Sequence, residues 1–195
     1  MNIREYKDAD NTQWVRCRVI SFLDSAYFDN VLREKEHYEN PAIELVAEID
    51  DKIIGLIDVE YEAESGKVSY KSDDLGGVIW HLAVLPEYRN CGVATLLLNE
   101  AIKRLKSKGI KRLQAWTRDD KWVNDWYINR GFVWKESYLH VYAEDNECDK
   151  IAMSNIDKLF ICNSFSHYIG DDRENIIKEF KRVHECSLYE LKIEE

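Results

Sequence analysis

The chain has 195 residues, of which 45% are hydrophobic and 33% are charged, so it can bury a core and a disordered protein is excluded. Its 27 Lys and Arg stand against 37 Asp and Glu, which leaves a formal net charge of -10. Because an acidic surface repels phosphate backbones and anionic lipids, neither nucleic acid nor membrane is an expected partner, whereas a cationic substrate is compatible with it.

The sequence has no apolar stretch of signal-peptide length near its start and no window long enough to span a bilayer, and we therefore expect a cytoplasmic protein. Its five cysteines are widely spaced and form no C-x-x-C pair, which favours reduced thiols. His167, His184 and Cys186 lack the spacing of common metal ligands, so no metal site is predicted.

Hydrophobic spacing in the first third of the chain predicts two helices between strands. A strand at 3–6 precedes a helix over 10–23, and a second helix over 26–38 ends before Asn40 and Pro41. Two strands follow, at 43–49 and 52–61, and the residues between them, Asp50 and Asp51, are typical of a hairpin turn.

The middle of the chain predicts a crossover unit. The nearly continuous apolar run from Val78 to Leu85 is typical of a strand that is buried on both faces. A loop leads into a helix that begins at Val93, has apolar residues at three- and four-residue steps, and ends before Gly109. A further strand at 110–116 completes the unit, so part of the sheet is expected to be parallel.

The last third predicts one more helix and the closing strands. Asp119 and Asp120 are expected to cap a short helix that ends at Gly131, and a strand follows at 132–142. The character of the chain changes near residue 143, which predicts a core over 1–142 and an extension over 143–195. Within the extension, residues 186–193 read as a final strand that pairs with 132–142 or exchanges between the subunits of a homodimer.

The loop between the buried strand and its helix carries the strongest chemical signal. The first N–H groups of a helix have no intrahelical partner, and they attract an anion such as a phosphate. Gly92 and Ala94 are small at the positions where a phosphate would approach the backbone. The alternative interpretation is an ordinary turn from strand to helix with Asn90 as the N-cap.

Two motifs in this region match a known pattern. Arg89, Gly92 and Ala94, after a strand that ends in V-x-P, form R/Q-x-x-G-x-G/A, and residues 127–132 form Y-x-x-x-G-F. In this order and separation the motifs resemble those of the GNAT superfamily of acetyl-CoA-dependent N-acyltransferases, over about residues 1–142. The resemblance implies an α/β fold (α+β in some schemes) with a mixed, mostly antiparallel central sheet of six or seven strands, a splayed parallel pair and helices on both faces.

The resemblance also implies acetyl-CoA as cosubstrate. Its pantetheine arm would pair with the backbone of Leu82, Ala83 and Val84, in the cleft where the two parallel strands splay apart. Its diphosphate would lie on the backbone of Arg89, Asn90, Cys91, Gly92, Val93, Ala94 and Thr95. This chain departs from the family pattern at Asp120 and Val123, where relatives often carry Asn and Ala, which puts one side-chain contact to the cofactor in doubt.

The reaction that the resemblance implies is direct attack of a neutral amine on the thioester in a ternary complex. Tyr127 of the second motif would donate a proton to the leaving thiolate as a general acid. Its other interpretation is a core aromatic residue on a helix face. If the family topology holds, four Trp side chains, at 80, 116, 122 and 126, should cluster around the splayed strands, mostly as core packing.

No general base is assigned by the sequence. Relatives often carry Glu or His in phase with Val78 and Trp80, and neither of these side chains is a base. His81 is adjacent, but strand alternation predicts that it points to the opposite face. The remaining candidates are carboxylates that could act directly or through water, namely Glu60, Glu62, Asp73 and Asp74.

The acceptor is expected to meet the segment from Phe22 to Glu39, because substrate choice in the superfamily usually depends on this region. Its five carboxylates suit a small cationic amine or a peptide terminus, although such a run is also typical of a solvated helix face. The runner-up function is a non-catalytic acyl-CoA-binding sensor or scaffold.

Overall fold

The structure, a computed structural model, describes residues 1–71 and 74–193. Its strands are β1 (Asn2–Glu5), β2 (Ala42–Ile49), β3 (Lys52–Tyr61), β4 (Gly76–Val84), β5 (Arg112–Thr117), β6 (Val133–Glu144), β7 (Asn163–Tyr168) and β8 (Arg182–Lys192). Its helices are α1 (Asn11–Phe22), α2 (Val93–Ser107), α3 (Lys121–Ile128) and α4 (Arg173–Glu179), with short 3-10 turns at Asp8–Asp10, Pro86–Tyr88 and Asp145–Lys150.

All the strands form one sheet in the order β1-β2-β3-β4-β5-β8-β6-β7. Within the described residues, β4 and β5 are the one parallel pair, and they are in register from Gly76–Arg112 to Ile79–Ala115. Beyond Ala115 the two strands no longer pair, which confirms the mixed sheet with a splayed parallel pair. The described sheet has eight strands rather than the expected six or seven, because the segment after β6 adds β7 at the edge.

Helices cover both faces of the sheet. On one face, α2 packs so closely on β3 that a Cβ at Gly55 would lie 2.9 Å from Val93 Cγ1. On the other face, Trp14 of α1 packs edge-on against His81 of β4, with ring centroids 5.1 Å apart. Leu97 and Leu105 of α2 and Trp14 of α1 are fully buried in the same core.

The prediction of a second helix at 26–38 is wrong, because these residues form no helix. Residues 23–41, which we call the strap, form turns and irregular backbone between α1 and β2. Local turns hold part of the strap, such as the bond from the Phe28 N–H to the Ser25 carbonyl, and other polar groups bond to distant elements. Asp120 accepts the Ala26 N–H at 2.9 Å, and Arg18 donates to the Asn30 carbonyl at 2.7 Å. Lys35, 3% exposed, reaches Asp58 of β3 at 3.0 Å. These tertiary contacts outweigh the helical spacing of the sequence.

The final strand pairs as predicted with residues 132–142. β8 lies between β5 and β6 and is antiparallel to both, from Arg112–Lys192 on one side and from Val133–Glu190 on the other. The extension therefore contributes an interior strand to the sheet. The division of the chain at 142 and the homodimer stay predictions.

The four Trp side chains do not form one core cluster. Trp80 and Trp122 are half exposed, at 51% and 52%. Trp116 contacts Tyr70 and Tyr138, whereas Trp126 contacts Tyr127. Trp80 and Trp116 directly follow the last parallel pair, Ile79–Ala115, where the two strands diverge, whereas Trp122 and Trp126 lie on α3.

Candidate active site

The start of α2 presents free backbone donors beside a loop in left-handed conformation. Asn90 has φ +58° and Gly92, the N-cap of α2, has φ +82°. Val93, Ala94 and Thr95 occupy the first turn, whose N–H groups have no intrahelical acceptor, and no described side chain caps them. A Cβ placed on Gly92 would meet nothing within 4 Å, so open space adjoins the donors. This geometry fits an anionic diphosphate.

The Arg89 side chain bonds to other groups of the protein. Its guanidinium donates to both Asp24 carboxylate oxygens, at 2.6 and 2.9 Å, and to the Ser21 carbonyl at 2.7 Å. It also lies over the Trp122 ring, 5.0 Å from the centroid. The hydrogen bonds from the guanidinium lower the pKa of Asp24, so the Asp24 carboxylate stays ionised and paired with Arg89. Arg89 thus ties the loop to the end of α1 and leaves the backbone of the loop to meet a ligand.

The end of β4 has one open edge. Leu82, Ala83 and Val84 pair with β3, whereas the edge that faces β5 has no strand partner after Ile79 within the described residues. An extended amide chain, such as a pantetheine arm, has the hydrogen-bonding groups to pair with such an edge. The structure therefore brings the expected cofactor residues of β4 and of the loop to the same cleft.

Tyr127 lies on α3 in an aromatic surrounding. It is 5% exposed, its ring stacks on Tyr189 of β8 with centroids 6.0 Å apart, and it contacts Phe132 edge-on at 5.1 Å. Within the described part of the chain, its hydroxyl has no hydrogen-bond partner. Burial raises the pKa of Tyr127, so the phenol stays protonated at neutral pH.

A bulge in β4 changes the expected direction of His81. The register runs from Val59–Ile79 directly to Asp58–His81 and skips Trp80, so strand alternation is broken at this point. His81 and Trp80 consequently both contact groups on the strap face of the sheet: Trp80 Nε1 donates to Glu60 at 2.8 Å, and His81 Nε2 lies 2.5 Å from Glu36 Oε2. The expectation that His81 points away from Trp80 is therefore wrong.

Both ring nitrogens of His81 are engaged. Arg18 Nε donates to Nδ1 at 3.1 Å, which leaves the proton on Nε2, where it is donated to Glu36. This hydrogen bond lowers the pKa of Glu36 and keeps it anionic. In this arrangement His81 has no free lone pair for a substrate proton, and it orients the Glu36 carboxylate instead.

A cavity of about 440 Å³ opens beside this pair, between the strap and the bulge of β4. Three of its lining side chains are carboxylates, one is a lysine, and Tyr38 and Trp80 supply aromatic walls. The lining consists of Glu36, His37, Tyr38, Glu39, Asn40, Glu60, Lys67 and Trp80. Such a lining suits a cationic group with an apolar or aromatic neighbour.

The other predicted base candidates lie elsewhere. Glu62 Oε1 accepts the N–H groups of Ser69 and Val68, at 3.0 and 3.1 Å, and its Oε2 accepts that of Gly76 at 2.8 Å. Burial by itself would raise the pKa of Glu62, but these backbone donors outweigh it and lower the pKa. Glu62 therefore organises the loop before β4. Asp74 accepts Arg112 through its carbonyl, and Asp73 lies outside the described residues.

Sequence reasoning missed two contributors to the site. Asp120 is the N-cap residue of α3, but its side chain makes no cap hydrogen bond and holds the strap at Ala26 instead. Arg130, inside the Y-x-x-x-G-F motif, donates to Thr95 Oγ1 at 2.8 Å and places a cation beside the first turn of α2. Its position in the motif was visible, but its contact with α2 depends on tertiary packing.

Among residues 1–71 and 74–193, no group of three or more His, Cys, Asp and Glu side chains could hold a metal ion. No helix in the same ranges combines the length and the apolar character that crossing a bilayer requires.

Comparison with known proteins agrees with this geometry. The model of the Acetyltransferase (GNAT) family matches residues 5–132, and the chain belongs to this family. The match runs from Glu5, the last residue of β1, to Phe132 and therefore includes the loop before α2, the splayed strands and Tyr127.

Solved structures with the same fold are distant in sequence. The ribosomal-protein-S18-alanine N-acetyltransferase from Escherichia coli aligns with a TM-score of 0.61 and 12% identity, over 100% of this chain and 94% of that one. PaiA N-acetyltransferase from Thermoplasma acidophilum, in complex with coenzyme A, aligns at 0.51 and 18%, over 69% and 90%. An aminoglycoside antibiotic 6'-N-acetyltransferase from Acinetobacter haemolyticus aligns at 0.53 and 24%, over 70% and 93%.

Proposed function

We propose that the protein is an N-acetyltransferase that moves an acetyl group from acetyl-CoA to a primary amine, either a small cationic amine or a peptide terminus. The observation that carries the proposal is the free first turn of α2, which follows the splayed end of β4 directly. Open donors at that position fit the diphosphate, and the unpaired edge of β4 fits the pantetheine arm. A coenzyme A complex of a fold relative supports coenzyme A as the carrier of the acyl group.

Acetyl-CoA supplies the thioester, which a neutral amine attacks directly in a ternary complex. Tyr127 holds a proton at its Oη and donates it to the departing thiolate. Phe132 and Tyr189 pack against the Tyr127 ring, and burial raises the pKa of the hydroxyl, so the phenol remains neutral.

The amine enters through the cavity between the strap and β4. An alkyl ammonium with a pKa of about 10.4 is neutral only about once in 2,500 at pH 7, so the site must take up a proton. Glu36 and Glu60 line the cavity and attract the ammonium. Both oxygens of Glu60 already accept hydrogen bonds from Asn40 and Trp80, so Glu36 accepts the proton directly or through water. His81 acts behind Glu36 by fixing the orientation of its carboxylate.

A thiol-release assay tests the proposal. Acetyl-CoA is incubated with the protein and a panel of polyamines, aminoglycosides and peptides with free α-amines, and acetylated products are identified by mass spectrometry. We expect release of one thiol per acetylated amine for at least one acceptor. Binding of coenzyme A without release for any member of the panel would contradict an acetyltransferase with this acceptor range.

The second candidate function is a non-catalytic acyl-CoA-binding sensor or scaffold. The engaged nitrogens of His81 favour it, because the imidazole nearest the splayed strands is not free to act as a base. In that case coenzyme A would bind and Tyr127→Phe would have no effect on any activity of the protein.

A further inference from the structure

A continuous row of aromatic side chains crosses the strap face of the sheet beyond the acceptor cavity. The neighbouring ring centroids are 6.2 Å apart for Tyr70–Trp116, 5.1 Å for Trp116–Tyr138 and 4.7 Å for Tyr138–His167. The row continues with 5.1 Å for His167–Phe165 and 4.8 Å for Phe165–Tyr142. We call Tyr70, Trp116, Tyr138, His167, Phe165 and Tyr142 the aromatic row.

The aromatic row is accessible. Tyr70 is 43% and Phe165 51% exposed, His167 is also exposed, and Trp116 and Tyr138 are half-buried. The row passes the splayed strands at Trp116, which, like Trp80, follows the last parallel pair, Ile79–Ala115, by one residue. It extends onto β7, the edge strand that the C-terminal extension adds, and its last member, Tyr142, lies on β6.

The protein already places its own cations on both ends of the row. Lys71 Nζ lies 4.4 Å from the centroid of Tyr70, and the Arg182 guanidinium lies 3.9 Å from that of Tyr142. Among the described residues, no Lys or Arg lies over the rings of Trp116, Tyr138 or Phe165. The two end rings, Tyr70 and Tyr142, therefore already make cation–π contacts within the protein. Within the described part of the chain, the rings of Trp116, Tyr138 and Phe165 have no such contact and can accept a cation from a bound ligand.

Charge in the acceptor cavity points to the same kind of partner. The cavity has three carboxylates and one lysine, and the whole chain has a formal net charge of -10. From Trp116 on β5 to Phe165 on β7 the row crosses three strand spacings, or about 14 Å. An extended peptide covers that distance with about four residues.

We propose that the aromatic row is a docking surface for the basic segment of an extended peptide acceptor, whose reactive amine lies in the cavity beside Glu36 and Glu60. The inference rests on the proposed acetyltransferase function and narrows its acceptor to a peptide with positive charges about four to six residues from the amine. Arg or Lys side chains of that segment stack on Trp116, Tyr138 and Phe165.

Direct binding tests the docking surface without turnover. A nine-residue peptide with a free α-amine and Arg at positions four to six is titrated calorimetrically at low ionic strength, beside the same peptide with Gln at those positions. We expect the Arg peptide to bind at least about tenfold more tightly, and Phe165→Ala to weaken it about three- to tenfold. Phe165→Leu, which keeps the apolar bulk, should weaken it by a similar factor.

Phe160→Ala is the matched control. Phe160 is 81% exposed in the same extension, and no ring contact joins it to the described members of the aromatic row. Its substitution should leave the affinity of the Arg peptide unchanged. Equal affinities of the Arg and Gln peptides, or equal effects of Phe165→Ala and Phe160→Ala, would overturn the inference.

The outcomes separate this inference from the proposed function. Thiol release with small amines but no binding of the Arg peptide overturns the docking surface and leaves the acetyltransferase standing. Binding of the Arg peptide that depends on Phe165, with no thiol release for any amine, supports the surface and counts against the acetyltransferase. A dimer that Phe165→Ala dissociates would identify the row as a self-association surface and overturn the inference.

Discussion

At the scale of single residues, the chemistry of the site depends on what each side chain contacts. Tyr127 and Tyr38 are both tyrosines near the cleft, yet Tyr38 donates its hydroxyl to Asp58 at 2.9 Å, whereas the hydroxyl of Tyr127 has no described partner. Only the second hydroxyl is left to donate to a ligand. The same reasoning separates Glu62, which is occupied by backbone donors, from Glu36, which faces the cavity.

Tyr127→Phe is expected to lower kcat by about 10- to 1000-fold, which brackets the usual contribution of a general acid. The affinity for coenzyme A should change little, since the phenyl ring retains its contacts with Phe132 and Tyr189. Steady-state kinetics and calorimetry on the same preparation measure the two quantities. A tenfold loss of cofactor affinity with unchanged kcat would show that Tyr127 binds rather than protonates.

Cys91 offers a direct probe of the cofactor loop, because it is exposed next to Gly92, and Cys162 offers a control, because it is exposed far along the chain. Coenzyme A bound at residues 89–95 should slow alkylation of Cys91 at least severalfold and leave Cys162 unaffected. Peptide mapping by mass spectrometry after timed alkylation gives both rates. Equal protection of the two thiols, or of neither, would argue against the placement of the diphosphate. Cys17, Cys148 and Cys186 are buried and should react only after unfolding.

At the scale of elements, the site depends on how α2 begins. A left-handed N-cap at Gly92 turns the chain from β4 into the helix and leaves the first N–H groups free. The closeness of α2 to β3 at Gly55 then fixes where those groups lie. A standard N-cap side chain would bond to one of these donors and compete with a ligand for it.

Gly92→Val is expected to abolish binding of coenzyme A while the protein remains folded. No protein atom lies within 4 Å of the added Cβ, so the new side chain occupies ligand space, and the left-handed backbone adds about 1–2 kcal/mol of strain. Gly109→Val is the matched control, because Gly109 has φ +77° and equally open space at the other end of α2. The control should show a similar shift in melting temperature and normal calorimetric binding. Normal binding by Gly92→Val would exclude the loop as the diphosphate site.

At the scale of the whole molecule, β8 unites the core with the extension. It lies between β5 and β6, supplies Tyr189 against Tyr127, and carries Arg182 to the strap through Asp29. Two ion pairs connect the strap to other parts of the site. Asp29 pairs with Arg182 of β8, and Asp24 pairs with Arg89 of the cofactor loop. Sheet, strap and site are therefore expected to unfold together.

Acidification should destabilise the molecule through His140, which is 7% exposed. Burial first, and then the positive charge of Arg118, lower the pKa of His140 to about 4. In the unfolded chain the His140 side chain has a pKa of about 6.5, so between about pH 6.5 and pH 4 it binds a proton that it does not bind in the folded protein. The free energy of unfolding therefore falls as the pH drops from about 6.5 to about 4. We expect a loss of about 1–3 kcal/mol over this window in denaturant titrations. His140→Gln should flatten the profile there, and an unchanged slope would contradict the assignment.

Much of the fold follows from local patterns that the sequence displays. The buried run at 78–85, the glycine loop and the periodic helix after it each produce the expected element, and the structure begins α2 at Val93 as predicted. The predicted strand at 132–142 appears as β6 from Val133, whereas α3 ends at Ile128, three residues before the predicted end at Gly131. These features depend on contacts between residues that are close in the chain, so periodicity and turn chemistry report them.

The sequence alone therefore determined the crossover unit and the loop that begins α2, because short-range geometry specifies them. It also indicated the family and its class of fold, through the resemblance of the two motifs. Tertiary structure alone decided that the strap is not a helix, that the bulge at Trp80 turns His81 toward Glu36, and that the aromatic row spans β5, β6 and β7. These features arise from pairings between residues dozens of positions apart. Such pairings depend on how the sheet is assembled, and no local pattern of residues records them.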